Sequence, residues 1–311
     1  MSHLPLVVAG PIVRKVTATT CCIWLTTTTP VAPRLSLLKD HNNVEGESTA
    51  DTVQVGKRAF IHLLQFTAST SFNERERINY ALSFDNEELS LQWQEECAAL
   101  LYRNQEHLSF HHTATPETIL HGSCRKPHYP SDDALAQVDE LHKKAFEGNA
   151  AAPDLLLMTG DQIYADDVAG PMLKAIHSAI EVLGLFHESL EGAVIQNTNE
   201  LATHQYGFYQ RELLLPQIAT NTVLSSLFFG AKKKPVFTSV NAHNHLIGSA
   251  EVIAMYLLVW SDSLWPHIQI DKSHIDNKHI AKFDAENDAI KRFVSQLPKV
   301  RRALAHIPTY M

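Results

Sequence analysis

Between Val16 and Phe84 the sequence alternates apolar and polar residues in short runs, and no helical stripe interrupts them. That pattern constrains the fold more than any other feature. Side chains on a strand point alternately to opposite faces, so a period of two marks a half-buried strand, whereas a helix needs apolar residues three or four apart. In Val16–Thr26 (VTATTCCIWLT), Val16, Ala18, Cys22 and Trp24 share one parity, and the frequent threonines suit a pleated surface. Further strands are expected at Arg34–Leu38, Ala59–Thr67 and Arg77–Phe84, where Ile78, Tyr80, Leu82 and Phe84 alternate strictly. Polar stretches such as His41–Ala50 separate them. Several short strands without an intervening helix imply a β-sandwich of about one hundred residues. Cys21, Cys22 and Trp24 then belong to its core, because neighbouring cysteines on a strand face opposite ways and make a poor ligand pair.

After Asp85 the period changes. Leu89, Trp93, Cys97, Leu100 and Leu101 follow helical spacing, which predicts a linking helix with Cys97 as a packing residue. A strand, helix, strand succession follows at Thr118–Ser123, Asp132–Phe146 and the unbroken apolar run Leu155–Thr159. Apolar strands joined by a helix suggest a sheet covered on both faces, with function carried by loops at the strand ends. From Pro171 onward the apolar spacing of Met172–Phe186, Val252–Trp260 and Ala281–Leu297 is helical, and Arg301–Met311 reads as a closing strand. These boundaries give a sandwich unit with its linking helix at 1–112. A second unit occupies 113–311, with a helical insertion at about 171–299.

Bulk properties narrow the partners. In 311 residues, 34 acidic side chains against 26 basic ones leave a formal charge of −8, so no broad positive field exists to hold nucleic acid. Lys232, Lys233 and Lys234 form the one basic run and suit a solvated loop. No segment approaches the roughly 20 apolar residues of a membrane span, and Val252–Trp260 is expected as a buried helix instead. The opening residues carry no basic leader or small-residue cleavage pattern, so a cytoplasmic location is expected. Four cysteines without CxxC spacing form neither a disulfide framework nor a zinc knot.

The chemistry concentrates in two strand-end segments, His121-Gly-Ser-Cys124-Arg-Lys-Pro and Leu155-Leu-Leu-Met-Thr-Gly-Asp161-Gln-Ile-Tyr164-Ala-Asp-Asp167. In the second, the strand delivers Asp161 at its carboxyl end, Gly160 lets the backbone turn, and Tyr164 follows three residues later. A carboxylate can bridge two cations, a phenolate is a hard anionic ligand that favours ferric iron, and a thiolate binds iron or zinc strongly. Each residue alone has a plainer role: Cys124 as a strand-end packing residue, Asp161 as a helix cap or turn residue. Asp166 and Asp167 are expected to cap or solvate the helix near Pro171. Arg125, Lys126 and His128 are expected to form a solvated basic loop able to meet a phosphate.

GSCRKP followed some three dozen residues later by MTGDQIYADD, after a sandwich that opens with GPIV and CCIWL, resembles the PhoD-like (alkaline phosphatase D) family of calcineurin-like metallophosphoesterases. The GDxxY pattern is also similar to that of purple acid phosphatases. The resemblance implies an α+β protein: an N-terminal immunoglobulin-like β-sandwich, then an αββα metallophosphoesterase domain carrying a helical insertion. It implies hydrolysis of a small phosphate ester, mono- or diester, by water activated at a binuclear metal centre. Cys124, Asp161 and Tyr164 would be the metal residues, with Asp161 as the bridging and catalytic carboxylate. Iron is expected at the Cys124/Tyr164 position and calcium or another divalent ion at the second.

Members of that family continue from an IPTYM-like strand into an Asp-Asp-His-Glu segment and later supply Gly-Asp-x-His. Neither segment occurs here, so the metal set is expected to be incomplete, and the 311 residues alone inactive, as a fragment or as a chain that has lost half its centre. Two other readings stand beside this one. The chain is a catalytically dead interaction module, or a strand running into His243-Asn-His245 opens an amidohydrolase-type metal site, since alternate strand residues face one side.

Overall fold

The computed structural model describes residues 3–214 and 242–311. The protein is mixed α+β. The first strands, β1 (Val7–Val16), β2 (Thr20–Thr27), β3 (Arg34–Lys39), β4 (Asn42–Asn43), β5 (Gly46–Gly56), β6 (Ala59–Ala68), β7 (Arg77–Ser83) and β8 (Leu108–His111), form two antiparallel sheets. Their orders are β1-β2-β6-β5 and β4-β3-β7-β8. Inward residues of both, among them Ile23, Leu64, Leu37, Tyr80 and Phe110, share one core, closed by Trp93 of α1 (Glu87–Cys97).

Strand β1 corrects the sequence reading, which began its first strand at Val16. Residues 7 to 13 are buried without alternation because β1 lies between two cores: Val7 and Val13 face the sheets just described, while Val8 and Ile12 face the helices. Its path bulges at Gly10, whose φ of +82° suits glycine and where a Cβ would lie 2.6 Å from the Trp24 carbonyl oxygen. Arg301 holds the bulge, its buried guanidinium donating to the Gly10 and Val7 carbonyls at 2.8 and 3.2 Å. In β2 the parity is the reverse of that expected. Cys21, Ile23 and Leu25 point into the sheet core, Trp24 packs toward the helices, and Cys22 is half-buried with its thiol toward Gln65. The segment 41–50, expected as a polar separator, holds β4 and the start of β5, an edge strand whose side chains are mostly exposed.

The third sheet is parallel. Strands β9 (Ile119–Gly122), β10 (Leu155–Met158) and β11 (Thr309–Tyr310) run in the order β11-β10-β9. Helix α2 (Leu135–Phe146) crosses from β9 to β10, as a parallel connection requires. Leu156 and Met158 turn one face of β10 onto a core shared with α3 (Gly170–Leu183), α4 (Ser249–Trp260) and α5 (Ile280–Leu304). Helix α4 is buried on most sides, in keeping with its apolar sequence. Helix α5 runs through Pro298 to Leu304, so Arg301–Leu304, expected as strand, is helix. Its last turns bury Val300, Ala303 and Leu304, and that packing overrides the helix-breaking tendency of proline. Among the described residues no helix is long and apolar enough to cross a membrane.

Candidate metal centre

Because β9 and β10 are parallel, their carboxyl ends emerge side by side. Gly122 pairs with Met158, and the Thr159 N–H donates to the Gly122 carbonyl at 3.2 Å. Open parallel sheets bind ligands at this edge, where loops leave the strands together. The 123–127 and 159–167 loops are tied to each other again where the Arg125 N–H donates to the Asp161 carbonyl at 3.2 Å. Gln162 pins the second loop through bonds from its side-chain amide to the Met158 and Gly160 carbonyls, at 3.2 and 2.8 Å.

This geometry brings the three expected site residues together. The Tyr164 hydroxyl and the Asp161 backbone N–H both donate to the Cys124 sulfur, joined by the Ser123 hydroxyl at 3.7 Å. Those bonds, the Tyr164 one foremost, favour the thiolate and draw the Cys124 pKa below its usual value although the Asp161 carboxylate opposes the shift. The reciprocal effect falls on Tyr164. Donation to Cys124, then partial desolvation, push its phenol up to about 12. A soft sulfur donor, a hard carboxylate and a phenol thus converge on one exposed corner. Among the described residues no group of three or more His, Cys, Asp or Glu side chains is placed to hold a metal ion. The convergent set supplies two of those residue types, with a phenol as its third donor.

Gly160 has a different role from the sharp turn expected of it, and no positive φ. A Cβ there would lie 2.5 Å from the Cys124 nitrogen and the Ser123 oxygen and 2.8 Å from the Cys124 sulfur. Only hydrogen fits between the loops.

The neighbouring charges also depart from expectation. Arg125 is buried, not solvated. Its guanidinium pairs with Asp133 at 2.6 Å, donates to the Val259 carbonyl, and lies 4.7 Å from the ring centres of both Trp260 and Phe293. Asp167 does not cap the helix at Pro171. It takes Lys126 as a salt-bridge partner and has His128 at 3.5 Å, and the first N–H of α3 goes instead to Glu286 at 2.9 Å. Burial lowers the His128 pKa, so that imidazole favours its neutral form. Lys126 also stands 6.0 Å from the Tyr164 ring centre. The Lys126–Asp167 pair was not legible as a pair because 41 positions separate its members.

Neither residue of the alternative pair, His243 and His245, lies on a strand. His243 sits in a 3₁₀ turn at Ala242–Asn244, where its Nε2 meets Lys282 at 3.1 Å and its ring stacks on Tyr209. The His245 Nδ1 meets the Leu246 carbonyl at 2.5 Å. The strand expected from Val236 and the lysine run 232–234 lie outside the described residues. Comparison of the chain with protein-family models, with curated proteins and with solved structures returns no match.

Proposed function

We propose that this chain carries one side of a binuclear-metal phosphoesterase centre of the PhoD-like kind, with Cys124, Asp161 and Tyr164 as its metal residues. The observation that supports this most is the shared corner itself: two loops 37 residues apart in sequence, from Cys124 to Asp161, meet so closely that glycine is required between them. The donor set fits a cation. Hydrogen bonds, the one from Tyr164 foremost, lower the Cys124 pKa, and its sulfur and the Tyr164 oxygen are near enough to face one cation. Asp161, exposed at a strand end, has no ion pair among the described residues and suits a bridging role. When bound there, a cation pair supplies Lewis acidity toward water and phosphoryl oxygen. Gln162 and Gly160 keep Asp161 beside Cys124.

The finer fold belongs to the same proposal. An immunoglobulin-like first unit is supported by two four-stranded antiparallel sheets over one core, and a metallophosphoesterase second unit by the parallel β9–β10 edge. The test is ferrous iron loading in air followed by absorption spectroscopy, metal analysis, and turnover of p-nitrophenyl phosphate and its bis ester. The expected result is stoichiometric iron with a visible phenolate-to-iron band that Tyr164→Phe removes. A protein that takes up no iron, or whose iron shows no band lost in Tyr164→Phe, contradicts the proposal.

A further inference from the structure

Cys124 and Tyr164 open onto a cleft of about 420 Å³, within the range of about 300 to 1,000 Å³ common for small-molecule sites. Much of its wall is apolar: Pro127, Leu135, Met158 and Phe293 are buried behind it, and Tyr129 stands 59% exposed at its surface. The Tyr129 ring makes no aromatic contact among the described residues. Charged groups on the same wall are already engaged. Arg125 is held by Asp133, Lys126 by Asp167, and Asp132 accepts from Gln296 at 3.0 Å. A sugar or polyol would need spare donors and acceptors to replace its lost water, and this wall has spent most of its own. A flat ring asks for the opposite: apolar area and an aromatic neighbour to stack upon.

We infer that this cleft seats a flat aromatic ring, the ester group of the phosphate compound whose phosphoryl end lies at Cys124 and Tyr164; the assignment of that end rests on the phosphoesterase reading. Ring and phosphate would then be held by different surfaces, Tyr129 with the apolar wall for one and the Cys124 corner for the other.

Saturation-transfer NMR on the whole chain tests the slot without any metal, using phenol, adenosine and glycerol as probes. Tyr129→Ala removes the exposed ring, and Ala134→Phe fills the cleft from an exposed position. A saturable signal for phenol or adenosine, none for glycerol, and a loss of about tenfold in apparent affinity in both variants is the expected result. The ring that saturates at lower concentration tells an aryl ester from a nucleotide. No saturable ring signal, glycerol equal to the rings, or variants that bind as wild type would overturn the inference. Ring binding without iron uptake would overturn the metal reading alone, and iron uptake without ring binding would overturn the slot alone.

Discussion

A single methyl group decides whether the two site loops can meet. At Gly160 it would press on the Cys124 nitrogen at 2.5 Å and on the sulfur at 2.8 Å, and the nitrogen, being backbone, cannot swing aside. Gly160→Ala should therefore part the loops and cost about 1 to 3 kcal/mol, the usual scale for overpacking a close contact. Urea unfolding reads the stability loss and iron content reads the site. Wild-type values for both would show that the approach is looser than described. The residue was visible in the sequence as part of TGD, yet its reason was not. Sequence suggested a sharp backbone turn, whereas the requirement is proximity to a chain segment three dozen residues away. Cys124, Asp161 and Tyr164 were legible because each follows a strand end that apolar composition marks. Lys126 with Asp167, and Arg125 with Asp133, were not, since charge pairs across loops leave no local pattern.

At the scale of elements, the sheets contain titratable groups that their surroundings keep neutral. His62 in β6 is fully buried; Thr27 donates to the Thr29 carbonyl and so accepts from the His62 Nε2–H, leaving Nδ1 to accept from Thr52, both contacts at 2.8 Å. Burial lowers its pKa to about 4, and in α2 burial, aided by neighbouring His306, lowers that of His142 to about 3. The unfolded chain takes up these protons near pH 6.5. Stability is thus complete above that pH and declines as pH falls toward 4, because the unfolded state binds the proton first. His62 should account for about 3 kcal/mol of the loss, and in His62→Gln the slope near pH 5 should be shallower by up to ~1.4 kcal/mol per pH unit. Urea unfolding at pH 7, 6, 5 and 4 measures it, and equal slopes would refute the assignment.

Element boundaries were legible where burial is one-sided, as in β6 and β7, and illegible where it is not. Buried on both faces, β1 loses the alternation that announces a strand. Exposed on both, β5 loses it for the opposite reason. Helix α5 passes Pro298 because its far end is anchored by packing that no local propensity records.

For the molecule as a whole, β1 is the shared wall. It belongs to an antiparallel sheet on one side and to the helical core on the other, and Arg301 of α5 grips its bulge. Tyr80 of β7 reaches across to donate to the Ala305 carbonyl at 2.7 Å, just past the end of α5. These contacts bind the antiparallel sheets to the unit that carries the site, so the strand-end corner rests on a framework drawn from both. The central claim is that this corner places sulfur, carboxylate and phenol around one cation. Iron K-edge X-ray absorption of the loaded chain tests it most directly. One sulfur scatterer among oxygen and nitrogen neighbours, lost in Cys124→Ser and kept in Cys97→Ser, is the expected spectrum; an iron shell without sulfur, or one unchanged by Cys124→Ser, would contradict the account.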